Sequence, residues 1–217
     1  MKKRIVLWVL LIGLLTVVSG AEEGSDVEFW QSVGIDFKPA KGLKIYLEKQ
    51  LRYENKFTDM ESDLSEIGLR YRLNKLLDLR VNYRFEYRPN SNQKRNRLDA
   101  NLYLNFGWKA FKISNRCRIQ KEYIEKLDNE DSELEFRNRL RLIFSKNKKI
   151  RPYLGGEIFF GLGEDGDDRN KLRLTAGTEW RVKKRVTLTL FYHYQKFLES
   201  INSKQSHILG LKFNYSF

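Results

Sequence analysis

From residue 27 onward, apolar and polar side chains alternate with a period of two, not 3.6. In "LRVNYRFEYR" (79–88), Leu79, Val81, Tyr83, Phe85 and Tyr87 share one face, and Arg80, Asn82, Arg84, Glu86 and Arg88 share the other. The same alternation runs through Leu43, Ile45, Leu47, Leu51 and Tyr53, and through Val186, Leu188, Leu190, Tyr192 and Tyr194. It predicts strands over 27–38, 43–54, 64–73, 78–88, 97–107, 111–124, 134–144, 150–162, 171–182, 185–198 and 206–217. The three prolines, Pro39, Pro89 and Pro152, fall at strand ends or in turns, where a missing backbone donor does least harm.

Connections alternate in length. "KPAKG", "NKLL", "WKA", "SKNKK" and "VKK" are short, whereas "NKFTDMES", "PNSNQKRN", "EKLDNEDSE", "GEDGDDRN" and "ESINSKQ" are long and polar. That layout predicts an antiparallel meander with tight turns at one end and loops at the other. Aromatics punctuate both ends: Phe37, Trp108, Phe144, Trp180 and Phe217 sit at the short turns or the chain end, and Tyr53, Tyr87, Tyr123, Phe160 and Tyr194 precede the long loops. Each hairpin of about 36 residues therefore carries a ring near each end of its apolar face, the pattern of two membrane-interface girdles.

The first 21 residues stand apart. Lys2, Lys3 and Arg4 precede an apolar run from Ile5 to Val18, and Ser19-Gly20-Ala21 supplies small residues for cleavage. This reads as a secretory signal over 1–21, with the barrel over 22–217. Its removal lowers the net charge from +13 to +10. An N-terminal anchor is the rival reading, but the run is short for a span of about 20 residues. Export, and basic residues scattered evenly along the chain, argue against nucleic acid as partner. A single cysteine, Cys117, allows no internal disulfide.

Charge also decides which face points inward. The polar face carries Lys44, Arg52, Arg70, Arg72, Arg80, Arg84, Arg88, Arg97, Arg116, Arg118, Arg137, Arg139, Arg141, Arg173 and Arg181. An arginine facing lipid at mid-bilayer costs about 2–4 kcal/mol, and a handful would cancel the whole stability of a domain. In a membrane these residues must line the lumen. Glu48, Glu54, Glu66, Glu86, Asp99, Glu122, Glu135, Glu157 and Glu179 share that face and are fewer. Two outcomes stay open: a lumen plugged by arginine–carboxylate pairs, or a narrow pore that leans to anions. A soluble periplasmic barrel with its faces reversed is a further alternative.

Several positions break the pattern. Lys49, Lys121 and Lys196 fall on the lipid phase. The last two are expected to snorkel toward headgroups; a phase-shifting bulge is one account of Lys49. Asn115 and Asn138 also fall there, in neighbouring strands, and are expected to share a hydrogen bond. Eleven strands is an awkward count, since bacterial barrels usually have even numbers. Segment 27–38 is left to thread inside, pair parallel at the seam, or join a twelfth strand.

Together, Trp30, Gly34, "LKIYLEKQLR" (43–52), "EIGLRYRLNK" (66–75), "YRF" (83–85), "RNRLRL" (137–142), "RPYLGGEIF" (151–159), "RLTAGTEW" (173–180), "LFYHYQ" (190–195) and "HILGLKFNYSF" (207–217) resemble the exported barrels of Gram-negative bacteria known only as a domain of unknown function. The resemblance implies an outer-membrane, antiparallel up-and-down transmembrane β-barrel of 10–12 strands with no assigned activity. The terminal "FNYSF" is similar to the signal by which the barrel-insertion machinery recognises its clients. Outer-membrane lipid and lipopolysaccharide are the expected surroundings, and a monomer is the default.

Catalytic signals are thin. His193 and His207 are the only histidines, with Ser200, Ser203, Ser206 and Glu199 nearby in sequence. They make up the best constellation for an acyl hydrolase acting on lipid. Glu164, Asp165, Asp167 and Asp168 in "GEDGDDRN" concentrate carboxylates without calcium-loop spacing. No cofactor motif appears, and Cys117 reads as a small packing residue on the apolar phase.

Overall fold

The computed structural model describes residues 25–125, 130–162, 170–198 and 205–217. Among these, eleven strands close a single barrel: β1 (Ser25–Ala40), β2 (Leu43–Glu54), β3 (Asp59–Arg72), β4 (Leu77–Arg88), β5 (Gln93–Trp108), β6 (Phe111–Glu125), β7 (Glu130–Phe144), β8 (Ile150–Leu162), β9 (Lys171–Lys183), β10 (Val186–Phe197) and β11 (Gln205–Ser216). Residues 1–21, the acidic stretch 164–168, and Glu199, Ser200 and Ser203 lie outside the described residues.

Every sequential pair is antiparallel, and β1 closes on β11 in parallel, with Ser25 opposite Gln205 and Asp36 opposite Ser216. Of the three places open to the first strand, it takes the parallel seam. An odd number of up-and-down strands forces this, because the first and last then run the same way. Ser25 thus starts at the loop end of the wall and β11 finishes at the short-turn end.

Three strands begin earlier than alternation suggested. β3 opens at Asp59, β5 at Gln93 and β7 at Glu130, so the connections 55–58 and 89–92 are one-turn 3-10 segments with their exits, not long loops. The reason is solvation. Above the hydrocarbon both faces of a strand meet water, so polar residues continue the ladder without an apolar alternation to mark them.

The wall is apolar outside. Val33, Leu98, Leu140 and Leu154 are each more than half exposed, with Ile67, Leu69, Val81, Ile119 and Leu174 close behind. Trp108, Trp180 and Phe217 stand exposed at the short-turn end, and Tyr123 and Phe160 toward the loops. Phe111 and Phe144 meet edge to face across neighbouring strands, with centroids 5.2 Å apart. Fully buried residues are mostly polar: Asn82, Asp99 and Ser62 are among the least accessible in the chain. The reversed-face soluble alternative is thereby overturned, because the guanidiniums are enclosed and the leucines are outside.

The pattern-breaking residues resolve individually. Register between β2 and β3 runs without a break from Leu43 to Arg52, so no bulge lies at Lys49. Lys49 faces outward and is held by Asp63 and by Ser65 Oγ at 3.1 Å, which satisfies its charge on the lipid side. Lys121 reaches to 5.1 Å from the ring centroid of Tyr123. Asn115 Nδ2 donates to Asn138 Oδ1 at 3.1 Å, and Asn138 Nδ2 donates to Cys117 Sγ at 3.2 Å.

Candidate functional site

Alternation puts one side chain in two inside the barrel, and closure turns these rows into stacked layers. Near the short-turn end, Asp78 accepts from Arg70 (2.5 Å), Arg72 (3.2 Å) and Asn105 Nδ2 (2.9 Å). Lys44 pairs with Asp36 at 3.0 Å, and Glu179 accepts from Arg151 (2.6 Å) and Arg141 (3.5 Å). Arg72 is largely exposed at this rim, and Arg181 is exposed there as well, outside the central cavity.

At mid-height Glu66 meets Arg80 (3.4 Å), Arg84 (2.7 Å) and Arg97 (3.5 Å). Asp99 is ringed by Arg97, Arg118, Asn82 and Asn101, the two amides donating at 2.6 Å each. Glu157 takes Arg116 and, at 2.9 Å, Arg137, which also lies 3.9 Å from Glu135. Higher up, Glu86 pairs with Arg88 (2.7 Å), Glu122 with Arg95 (3.2 Å), and Glu48 with Lys212 across the seam. Glu54 accepts from Asn90 at the loop rim. Burying an isolated ion is costly, so the most enclosed carboxylates, Glu66, Asp99 and Glu157, each collect at least two donors.

The supply of carboxylates runs out before the arginines do. The lumen holds a cavity of about 520 Å³, lined by fourteen arginines and lysines against eight glutamates among the described residues. Arg139 makes no hydrogen bond or ion pair among those residues, while Arg173 and Arg52 bond only to the neutral amides of Gln195 and Gln50. In a confined space of low effective dielectric, such an excess creates a strong positive potential.

Aromatic rings are the part of this lining that alternation, read for its charges, passed over. Trp30, Tyr103, Tyr153, Phe159 and Phe191 line the cavity, and Tyr46 sits buried beside it. Guanidiniums lie over several of them: Arg80 over Tyr46 (3.7 Å), Arg141 over Tyr153 (3.6 Å), Arg137 over Phe159 (4.0 Å) and Arg52 over Trp30 (4.0 Å). The available signal was parity: Tyr103 shares its phase with Arg97 and Asp99, and Phe159 with Glu157. Tyr46 fits only because Gly68 lies beneath it; a Cβ there would fall 2.0 Å from the ring.

The two histidines are not brought together. His193 lines the lumen, with Nδ1 2.8 Å from Thr175 Oγ1 and its ring 5.9 Å from Trp30. His207 pairs with Tyr194 one residue further along the ladder and therefore points to the outer face, where Nδ1 is 2.7 Å from Tyr192 Oη. Opposite sides of one wall cannot share a substrate.

An apolar exterior, a closed and almost wholly antiparallel ladder and a charged interior define a transmembrane β-barrel. The family model described as protein of unknown function (DUF2490) matches residues 27–206, and the chain belongs to that family. No curated protein matches it. Among solved structures, the translocator domain of the autotransporter NalP from Neisseria meningitidis is similar in fold, with a TM-score of 0.58 and 11% identity over 95% of this chain and 94% of that one. The NanC porin (TM-score 0.48, 9% identity, 78% of this chain and 86% of that one) and the KdgM porin (0.47, 12%, 78% and 91%) are similar more loosely.

Proposed function

We propose that this chain is a narrow, non-catalytic channel in the bacterial outer membrane that favours small anions. One observation carries the reading: among the described residues the luminal cavity has fourteen cationic side chains against eight carboxylates, a formal excess of six. Fixed positive charge along a confined aqueous path concentrates anions and repels cations. The apolar exterior and the exported-protein signal expected over 1–21 support placement in the outer membrane. The separation of His193 from His207 supports a barrel without hydrolase chemistry.

A second reading has its own support. Asn82 and Asp99, almost inaccessible, tie β4, β5 and β6 together through Asn101 and Arg118, as in a barrel plugged for structural or interaction purposes. Conductance in planar bilayers separates the two. Discrete steps are expected of the channel and silence of the plugged scaffold. Arg139→Glu, at a cation that makes no ion pair among the described residues, is expected to lower chloride conductance several-fold at 0.1 M salt and much less at 1 M, where the Debye length shrinks to about 3 Å. An unchanged conductance at both salts would count against the charge-based account.

A further inference from the structure

Net charge says nothing of where an anion would rest. Arg52, Arg173 and Lys171 converge on the loop-end half of the cavity, and none makes an ion pair among the described residues. Their restraint comes from rings. Arg52 Cζ lies 4.0 Å and Arg173 Cζ 5.3 Å from the centroid of Trp30, so one indole holds two guanidiniums. Arg173 also lies 4.9 Å and Lys171 Nζ 5.6 Å from the centroid of Phe159. A cation–aromatic contact orients a guanidinium without neutralising it. Carboxylates elsewhere in the lumen do neutralise their partners.

Donors remain as well as charge. Arg52 gives Nε and Nη2 to Gln50 Oε1, at 3.2 and 3.1 Å. Arg173 gives Nε and Nη2 to Gln195 Oε1, at 3.0 and 2.5 Å. The Nη1 group of each makes no hydrogen bond among the described residues, and a planar fork matches the geometry of a carboxylate or phosphate. Glu28, the carboxylate that accepts from Trp30 Nε1 at 2.9 Å, makes no ion pair with any of the three among the described residues, so their charges are only partly offset.

We infer that Arg52, Arg173 and Lys171, braced by Trp30 and Phe159, form a binding site for a small oxyanion, a carboxylate- or phosphate-bearing solute. As a selectivity station it rests on the channel reading, but binding itself requires no conductance. Trp30 supplies the reporter: of four tryptophans, Trp8 lies in the expected signal, and Trp108 and Trp180 can be replaced by phenylalanine to leave Trp30 alone. Sodium gluconate and sodium phosphate are titrated separately into that folded protein in detergent at constant ionic strength.

A saturable change in Trp30 emission with either salt is expected; gluconate alone would point to carboxylate solutes and phosphate alone to phosphorylated ones. Arg52→Gln with Arg173→Gln should weaken the apparent affinity at least tenfold, and Arg139→Gln, elsewhere in the lumen, less than threefold. Should the double variant not fold, as judged by heat-modifiable migration, Arg173→Gln alone must weaken binding at least threefold. No saturable response to either salt, or equal weakening by Arg139→Gln, overturns the site. Anion conductance without such binding leaves the channel and removes the site; binding without conductance does the reverse.

Discussion

Single side chains show how the wall balances its two solvents. Asn115 and Asn138 face hydrocarbon and satisfy part of each other's bonding capacity, with Cys117 taking a further hydrogen bond. Removing one partner leaves the other unsatisfied, whereas replacing both by apolar groups removes the cost altogether. Asn138→Leu should therefore lower the urea midpoint of unfolding by the equivalent of about 1–2 kcal/mol, while Asn115→Leu/Asn138→Leu should return it to or above the parent value. Additive losses in the double variant would contradict this. Inside the barrel, Gly177 lies under Tyr153, where a Cβ would fall 2.5 Å from the ring and 2.8 Å from the Leu190 carbonyl oxygen. Because one of those neighbours is backbone, Gly177→Ala is expected to cost about 1–3 kcal/mol in the same assay. A neutral result would mean the ring does not stand where the structure places it.

Elements were legible in the sequence to the extent that hydrocarbon enforced alternation. β2 and β8 follow the expected spans 43–54 and 150–162 because their outward residues alternate to both ends. β3, β5 and β7 start early, in polar stretches such as "EDSE" that water tolerates on either face. The seam was harder, since parity fixes which way a side chain points but not which strand lies beside it. Only the odd count hinted at parallel closure. The aromatic brace was hidden for the same reason: Trp30 and Phe159 belong to β1 and β8, and only closure sets Arg173 of β9 near both rings. The parallel seam predicts that Gln31→Cys and Leu211→Cys, at positions that are direct partners, join through a short bis-maleimide in a Cys117→Ser background. The product would show as a shifted band after full denaturation. Labelling of both thiols without any crosslink would place β1 elsewhere.

For the whole molecule, two surpluses point in opposite directions. The outer wall exposes leucine, isoleucine and valine that water would not tolerate in such quantity, and the lumen holds more cations than carboxylates. Neither surplus makes sense without the other: the membrane explains the apolar exterior, and confinement makes the inner charge felt. The seam also sets Ser25 at the loop rim and Phe217 at the turn rim. The central claim, a positively biased lumen crossing a bilayer, is tested most directly by the reversal potential of the purified chain under a tenfold KCl gradient. The account predicts a potential displaced toward the chloride equilibrium value; one displaced toward the potassium value would contradict it.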